Sequence, residues 1–395
     1  MKYLLISIKI LLSVCVISLC VYIGNRFEFW SQIGSFDNVI GVMPVILLIG
    51  ATTFLIFLVW KRYKNAMTST IVLIFLAISW SLLFIPALTG NWYPNAKIFE
   101  SGVVEQDLSE YAPFINNTKV AVLEKKASIK INEELPTVDG ATALYPIYSA
   151  FANAVYDKGS FVESDVVCTN TPNAYKRIIS GDCDIIFVAQ PSEKQMQAAK
   201  DAGVNLVMTP IGREAFVFLA GKTNPVEGLT YQQIKNIYTG KTAKWKTIGW
   251  EGGGNILVFQ RPEGSGSQTG LQYIMGKLPI QVPQPLPDSS LIGTGSMMQQ
   301  LSVEWSGVQP ALGYSYRYYA TTMYANSATK LLSVNGVYPT NETIANESYP
   351  FASNFYAVTN GEPTGNVKVL IDWILSAEGQ CLVEKTGYAP VKDNK

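Results

Sequence analysis

Three apolar stretches of about 20 residues each, at positions 4–23, 39–60 and 67–88, set the first limit on what this chain can become. A helix needs about 20 apolar residues to cross the hydrocarbon of a bilayer, so each stretch predicts a transmembrane span. The first carries one charge, Lys9, and lacks a small-x-small cleavage site. Leu19 stands where a lipoprotein signal needs a small residue ahead of Cys20, and the stretch reads as an uncleaved span. Positive charges set the direction. Lys2 and Lys9 precede or enter the first span, and Lys61, Arg62 and Lys64 fill the loop between the second and third. The loop between the first and second has Arg26 against Glu28 and Asp37. The N-terminus and the 61–66 loop are therefore expected in the cytoplasm, and everything after about residue 90 outside it. No charged residue interrupts the second or third stretch, so the spans read as an anchor and not as an ion pathway.

Charge and composition remove several function classes. Thirty basic residues balance thirty acidic ones, which leaves no basic footprint for nucleic acid. The chain has no His, so zinc sites, Ser-His-Asp triads and Cys-His dyads of the usual kind are excluded. Beyond the apolar stretches stand Cys168, Cys183 and Cys381, an odd set without a C-x-x-C, expected as buried thiols.

Residues 91–134 are polar and mixed, and read as a juxtamembrane stalk with one short helix around 120–127. From 135 the pattern changes to short apolar strands, Gly/Ser/Thr turns and helices. Helices are expected over 144–156, 174–180 and 193–202, after strands at 137–138, 161–169 and 184–189. Such units predict an α/β fold on a mostly parallel sheet, with ligands outside the carboxyl ends of the strands. The most telling unit is Asn255-Ile256-Leu257-Val258-Phe259, a buried strand, followed by Arg261-Pro262-Glu263-Gly264-Ser265-Gly266-Ser267 and a helix. A strand that breaks into Gly and Ser before a helix leaves N–H groups and hydroxyls facing outward at the positive end of the helix dipole. Arg261 adds a permanently charged planar fork suited to an oxyanion. The turns at Asp139-Gly140-Ala141-Thr142-Ala143, Asn170-Thr171-Pro172 and Gln190-Pro191-Ser192 open helices in the same way. For any one of them N-capping is the better explanation; four in one chain point to a shared anion. Tyr314, Tyr316, Tyr318 and Tyr319 read as sheet and surface packing.

These motifs, in this order, resemble the periplasmic-type phosphate-binding proteins of ABC transporters. Asp139-Gly140-Ala141-Thr142-Ala143-Leu144-Tyr145-Pro146 is similar to that family's first phosphate loop, and the Arg261–Ser267 segment to its Arg-x-Asp-Gly-Ser-Gly-Thr loop. Asn224-Pro225-Val226, the 234–240 segment with Trp245, and the 377–390 segment resemble its second lobe and closing tail. The resemblance covers about 260 residues, from near 135 onward, and implies a two-lobed type II solute-binding fold over 135–395, with a second lobe at about 215–335. Chain crossings are expected near 210–220 and 335–360. It also implies site roles. Thr142 would give a hydroxyl and Ala143 an N–H. Thr171 stands near a family Ser. Arg261 would clamp the anion, oriented by Glu263. Ser265, Gly266 and Ser267 would supply hydroxyls and N–H groups. The family's third loop carries an Asp that accepts the proton of phosphate; here Gln190 holds the corresponding turn, and Asp139 is the other acceptor within reach.

The resulting expectation is a membrane-anchored, extracytoplasmic receptor that binds inorganic phosphate or a similar oxyanion and delivers it to ABC permease subunits, with no metal and no cofactor. A sensor or assembly factor that keeps the fold with weak binding is the alternative. A phosphatase is disfavoured, because neither an activated nucleophile nor a metal-spaced carboxylate cluster is visible.

Overall fold

One long strand, β4 (Leu206–Gly221), organises the described part of the molecule. The structure is a computed structural model and describes residues 98–100, 107–282, 310–325 and 327–391. All of these belong to the second of two compact units, Met1–Trp92 and Tyr93–Lys395. The three expected spans lie outside the described residues. Among the described residues no helix is long and apolar enough to cross a membrane.

Residues 206–215 of β4 pair antiparallel with β9 (Ala352–Asn360), which pairs with β3 (Ile185–Val188), itself parallel to β2 (Val138–Gly140). Residues 216–221 pair antiparallel with β7 (Ala311–Tyr316) and β8 (Thr329–Val334). Beyond β7 lie β6 (Leu257–Gln260) and β1 (Ile98–Glu100), both parallel, and β8 also carries β5 (Gly228–Leu229). β4 thus leaves one half of the sheet and enters the other at Ala215/Phe216, where the Phe216 N–H takes the Phe351 carbonyl (3.0 Å). The sheet is mixed and not mostly parallel as the strand–turn–helix pattern suggested. The shared strands β4 and β9 run against their neighbours because each carries the chain from one half to the other.

Helices fill the faces: α1 (Tyr145–Val155), α2 (Thr171–Ser180), α3 (Glu193–Asp201), α4 (Tyr231–Tyr238), α5 (Gly266–Met275), α6 (Asn341–Ala345), α7 (Gly365–Leu375) and α8 (Ala377–Thr386). Three begin within a residue or so of expectation or earlier, because the turn residues themselves form the first helical turn. The strand expected over 161–169 is a turn at Glu163–Asp165 and a single bridge from Val166 to Val138. Asp165 accepts the Val162 N–H and closes that turn.

In the first half, Ile147, Phe151 and Val155 of α1 pack on Phe187, Trp373 and Leu382. Full burial of one such side chain contributes about 2 kcal/mol. Tyr111, Val120 and Ile131 are buried in the same cluster. The segment read as a stalk is therefore part of this core from residue 107. The short helix expected at 120–127 is absent. Nearby, the backbone is tied laterally, with the Lys119 N–H on the Glu110 carbonyl (2.7 Å). In the second half Trp245, Phe218, Tyr238 and Leu271 form the core.

Candidate anion site

The first turn of three helices faces one cavity of about 750 Å3 between the two halves. Thr142 and Ala143 follow β2 in a tight 3-10 turn that leads into α1, and both line the cavity. The backbone there is fixed from two sides: the Ala141 N–H takes the Phe187 carbonyl (2.8 Å), and the Tyr388 hydroxyl donates to the Ala143 carbonyl. N–H groups at such a start have no partner within the helix, and they point along its dipole toward the cavity.

Asp139 holds the neighbouring loop. Its carboxylate is fully buried and accepts the Thr169 N–H (2.8 Å), the Thr169 hydroxyl (2.5 Å) and Arg177 Nη1 (2.9 Å), besides the Gly140 N–H (2.7 Å). It does not line the cavity. Every side of the carboxylate is used inside the first half, where Asp139 holds the loop. That loop delivers Thr169, Asn170 and Thr171 to the cavity wall. Asn170 adopts φ 77° and caps α2 by accepting the Asn173 N–H (3.2 Å).

The third turn departs from expectation. Ala189 lines the cavity and Gln190 does not. The Tyr175 hydroxyl holds the Ala189 carbonyl (3.0 Å), which fixes the turn with Ala189 on the wall.

The fourth loop matches most closely. Arg261, Glu263, Ser265, Gly266 and Ser267 all line the cavity. The Arg261 N–H is held by the Tyr314 hydroxyl (2.8 Å) and Gln268 Oε1 (3.2 Å). Arg261 Nε is buried without a hydrogen-bond partner, and no carboxylate pairs with this guanidinium among the described residues. Glu263 does not orient it. Its oxygens instead meet Gln272 Nε2 (2.9 Å) and Lys194 Nζ (3.7 Å). Gly264 takes φ 80°, a conformation that favours glycine, and turns the chain into α5. Ser265 caps α5 by accepting the Gln268 N–H (3.3 Å), so its own proton stays free to donate into the cavity. A Cβ on Gly266 would stand 3.0 Å from Thr171 Oγ1, so the two halves meet closely at the anion loops.

Several wall residues carried weak or no sequence signal. Cys168 Sγ lies 3.7 Å from the Gly140 carbonyl and 4.0 Å from Thr142 Oγ1, and burial pushes its thiol pKa up. Tyr316 and Tyr319 line the cavity, contrary to the packing role expected of that tyrosine string. Burial pushes the Tyr319 phenol up, opposed by the Arg261 charge beside it. Glu214 of β4 is buried on the same wall. It accepts the Ala215 N–H (2.8 Å) and the Tyr318 N–H (3.0 Å), and Arg317 Nε stands 3.7 Å away. Burial pushes its carboxyl up to about 7 against the pull of Arg317. A single carboxylate inside the apolar run of β4 was the sequence signal for it.

Comparison with known proteins gives a consistent picture. Residues 132–378 match the model of the PBP superfamily domain. The phosphate-binding protein PstS of Bacillus subtilis is 26% identical over 286 residues, which is 71% of this chain and 87% of that protein. PstS of Borreliella burgdorferi is 24% identical over 272 residues, 66% of this chain and 91% of that protein. Among solved structures, a Clostridium perfringens protein assigned as a phosphate ABC transporter substrate-binding protein, with bound phosphate, is 27% identical. It superposes with a TM-score of 0.50 over 65% of this chain and 99% of its own.

Proposed function

The chain belongs to the PBP superfamily, and on that premise we propose that it is the phosphate-binding receptor of a phosphate ABC transporter. One observation carries the reading: Arg261 presents a guanidinium with no carboxylate partner among the described residues, its Nε unpartnered and buried, to a cavity bordered by three helix starts. Arg261 is half-buried, and leaving its buried Nε–H without an acceptor is costly unless an anion completes it. The B. subtilis relative is a phosphate-binding protein, and the C. perfringens structure holds phosphate. In this reading Arg261 clamps the anion, and Thr142, Thr171, Ser265 and Ser267 donate hydroxyls. The N–H groups of Ala143, Gly266 and Ser267 complete the shell. These relatives are binding proteins, so the ligand is held and released and not transformed.

The apolar stretches at 4–23, 39–60 and 67–88 anchor the receptor, with the N-terminus cytoplasmic and the binding domain outside. That domain reaches back to about residue 107, with a second lobe at about 215–335. Captured phosphate passes to permease subunits in the same membrane.

Ala189 in place of an acidic third-loop residue favours a receptor that also accepts sulfate, because no acceptor there rejects a fully ionised oxyanion. Calorimetric titration of the full-length chain with phosphate, then sulfate, after removal of co-purified anion, tests both points. Phosphate binding is expected, with sulfate competing. Binding of neither anion by the folded protein overturns the receptor reading and returns the weight to a sensor or assembly factor.

A further inference from the structure

Inorganic phosphate leaves most of this cavity unfilled. A phosphate ion has five non-hydrogen atoms and displaces roughly three waters, or ~100 Å3 at about 30 Å3 each. The cavity holds about 750 Å3, the size that encloses a small organic ligand. Its walls away from the anion loops also differ from what a bare oxyanion needs. An oxyanion accepts hydrogen bonds from every side, so each wall group should donate. Glu214 is different: its buried carboxyl already accepts the Ala215 and Tyr318 N–H groups, and its remaining lone pairs can only accept. Asn354, also on the wall, uses its Oδ1 to accept from Arg213 Nε (3.3 Å) and keeps its amide protons for other partners. Two half-buried rings add flat apolar faces. Tyr319 lies beside Arg261, and Tyr316 lies beside Glu214. Leu108 closes the wall from a segment that precedes residues 132–378.

Resting on the receptor reading above, we propose that the cavity binds small hydroxylated phosphate monoesters, with the phosphoryl group in the Arg261 loop and the organic group against Tyr319, Tyr316, Leu108 and Glu214. Ester hydroxyls donate to the Glu214 carboxylate and accept from the Asn354 amide, while the carbon faces of a sugar or polyol lie on the tyrosine rings. The Asn354 amide protons and the tyrosine faces then have partners that inorganic phosphate alone does not reach.

The test is competition calorimetry on the phosphate-stripped full-length chain in detergent micelles. The probes are inorganic phosphate, glycerol 3-phosphate and ribose 5-phosphate, with glycerol and ribose as controls. At least one ester is expected to bind within about tenfold of phosphate, to be displaced by phosphate, and to be lost with it in Arg261→Ala. In Tyr319→Ala the ester-to-phosphate affinity ratio should fall about tenfold. Phosphate bound without either ester overturns the proposal and leaves the receptor reading standing. Failure of all three probes with the parent chain overturns both. Should the Tyr319 variant not fold, the parent chain's competition decides alone.

Discussion

Arg261 and Asp139, residues of similar promise in the sequence, meet opposite surroundings in the structure. Arg261 has its backbone N–H held by Tyr314 and Gln268 and its Nε buried without a partner, so its charge is available to the anion. Arg261→Ala should weaken phosphate binding by at least ~100-fold, the loss of about two charge-assisted hydrogen bonds at roughly 1.5 kcal/mol each. Calorimetry on the stripped variant measures this, and affinity within tenfold of the parent would misplace the clamp. Asp139 has no such freedom, because Thr169, Arg177 and Gly140 occupy its oxygens. Asp139→Ala should cost ~3 kcal/mol of stability by leaving Arg177 and the Thr169 loop without their acceptor. The urea midpoint reads that loss. A phosphate-to-sulfate ratio that moved without a stability loss would instead make Asp139 a ligand acceptor. The Arg261–Ser267 segment was legible in the sequence because its chemistry is local: a charged fork, two glycines and two hydroxyls ahead of a helix. Gln190 and Glu263 were not legible, since which way a turn side chain faces depends on distant partners. Tyr175 fixes the turn at Ala189, and Gln272 and Lys194 draw Glu263 away from Arg261.

At the level of elements, helix starts could be read and strand partners could not. α1 and α3 follow the apolar spacing and turn chemistry closely, and α3 is opened by the Ser192–Gln195 capping box. The antiparallel direction of β4 against β8 and β9 rests on contacts more than a hundred residues apart, such as Met208 with Val358 and Phe218 with Leu332, which no local pattern encodes. β4 carries the clearest cost of this arrangement. It places Glu214 where the sheet passes from one half to the other, buried with Arg317, Tyr316, Tyr318 and Tyr388 around it. Its carboxyl rises from 4.5 to about 7 in the folded protein, so between those values the folded chain binds more protons than the unfolded chain. The stability this group contributes is therefore complete below about pH 4.5 and is lost as pH rises through about 7. Glu214→Gln should remove that part of the pH dependence. Chemical denaturation at about pH 5 and about pH 8 compares the two proteins, and an identical slope in both would show that Glu214 does not titrate in this window.

At the scale of the two halves, three contacts cross the cleft. Gln195 Nε2 donates to the Gly264 carbonyl (3.3 Å), the Tyr273 hydroxyl donates to the Pro191 carbonyl (2.9 Å), and Lys194 faces Glu263 (3.7 Å). All three join the start of α3 in the first half to the Arg261 loop and α5 in the second, away from the strands that connect the halves. A rotation about the β4 and β9 crossings would part them together, while the hydrogen bonds inside each half stay intact. On the proposed receptor reading, they would act only on a closed state, and whatever they contribute would add to the affinity for an anion that needs closure. Tyr273→Phe removes one of these bonds and leaves the ring in place. Tyr273 is half exposed, so water replaces part of the loss, and the cost belongs at the low end for a hydrogen bond, about 0.7 kcal/mol. Phosphate affinity should fall about threefold through faster release, with the association rate little changed. Stopped-flow measurement of both rates decides. A slower association rate with unchanged release would mean that the Tyr273–Pro191 contact forms before the anion is captured, and that closure precedes binding.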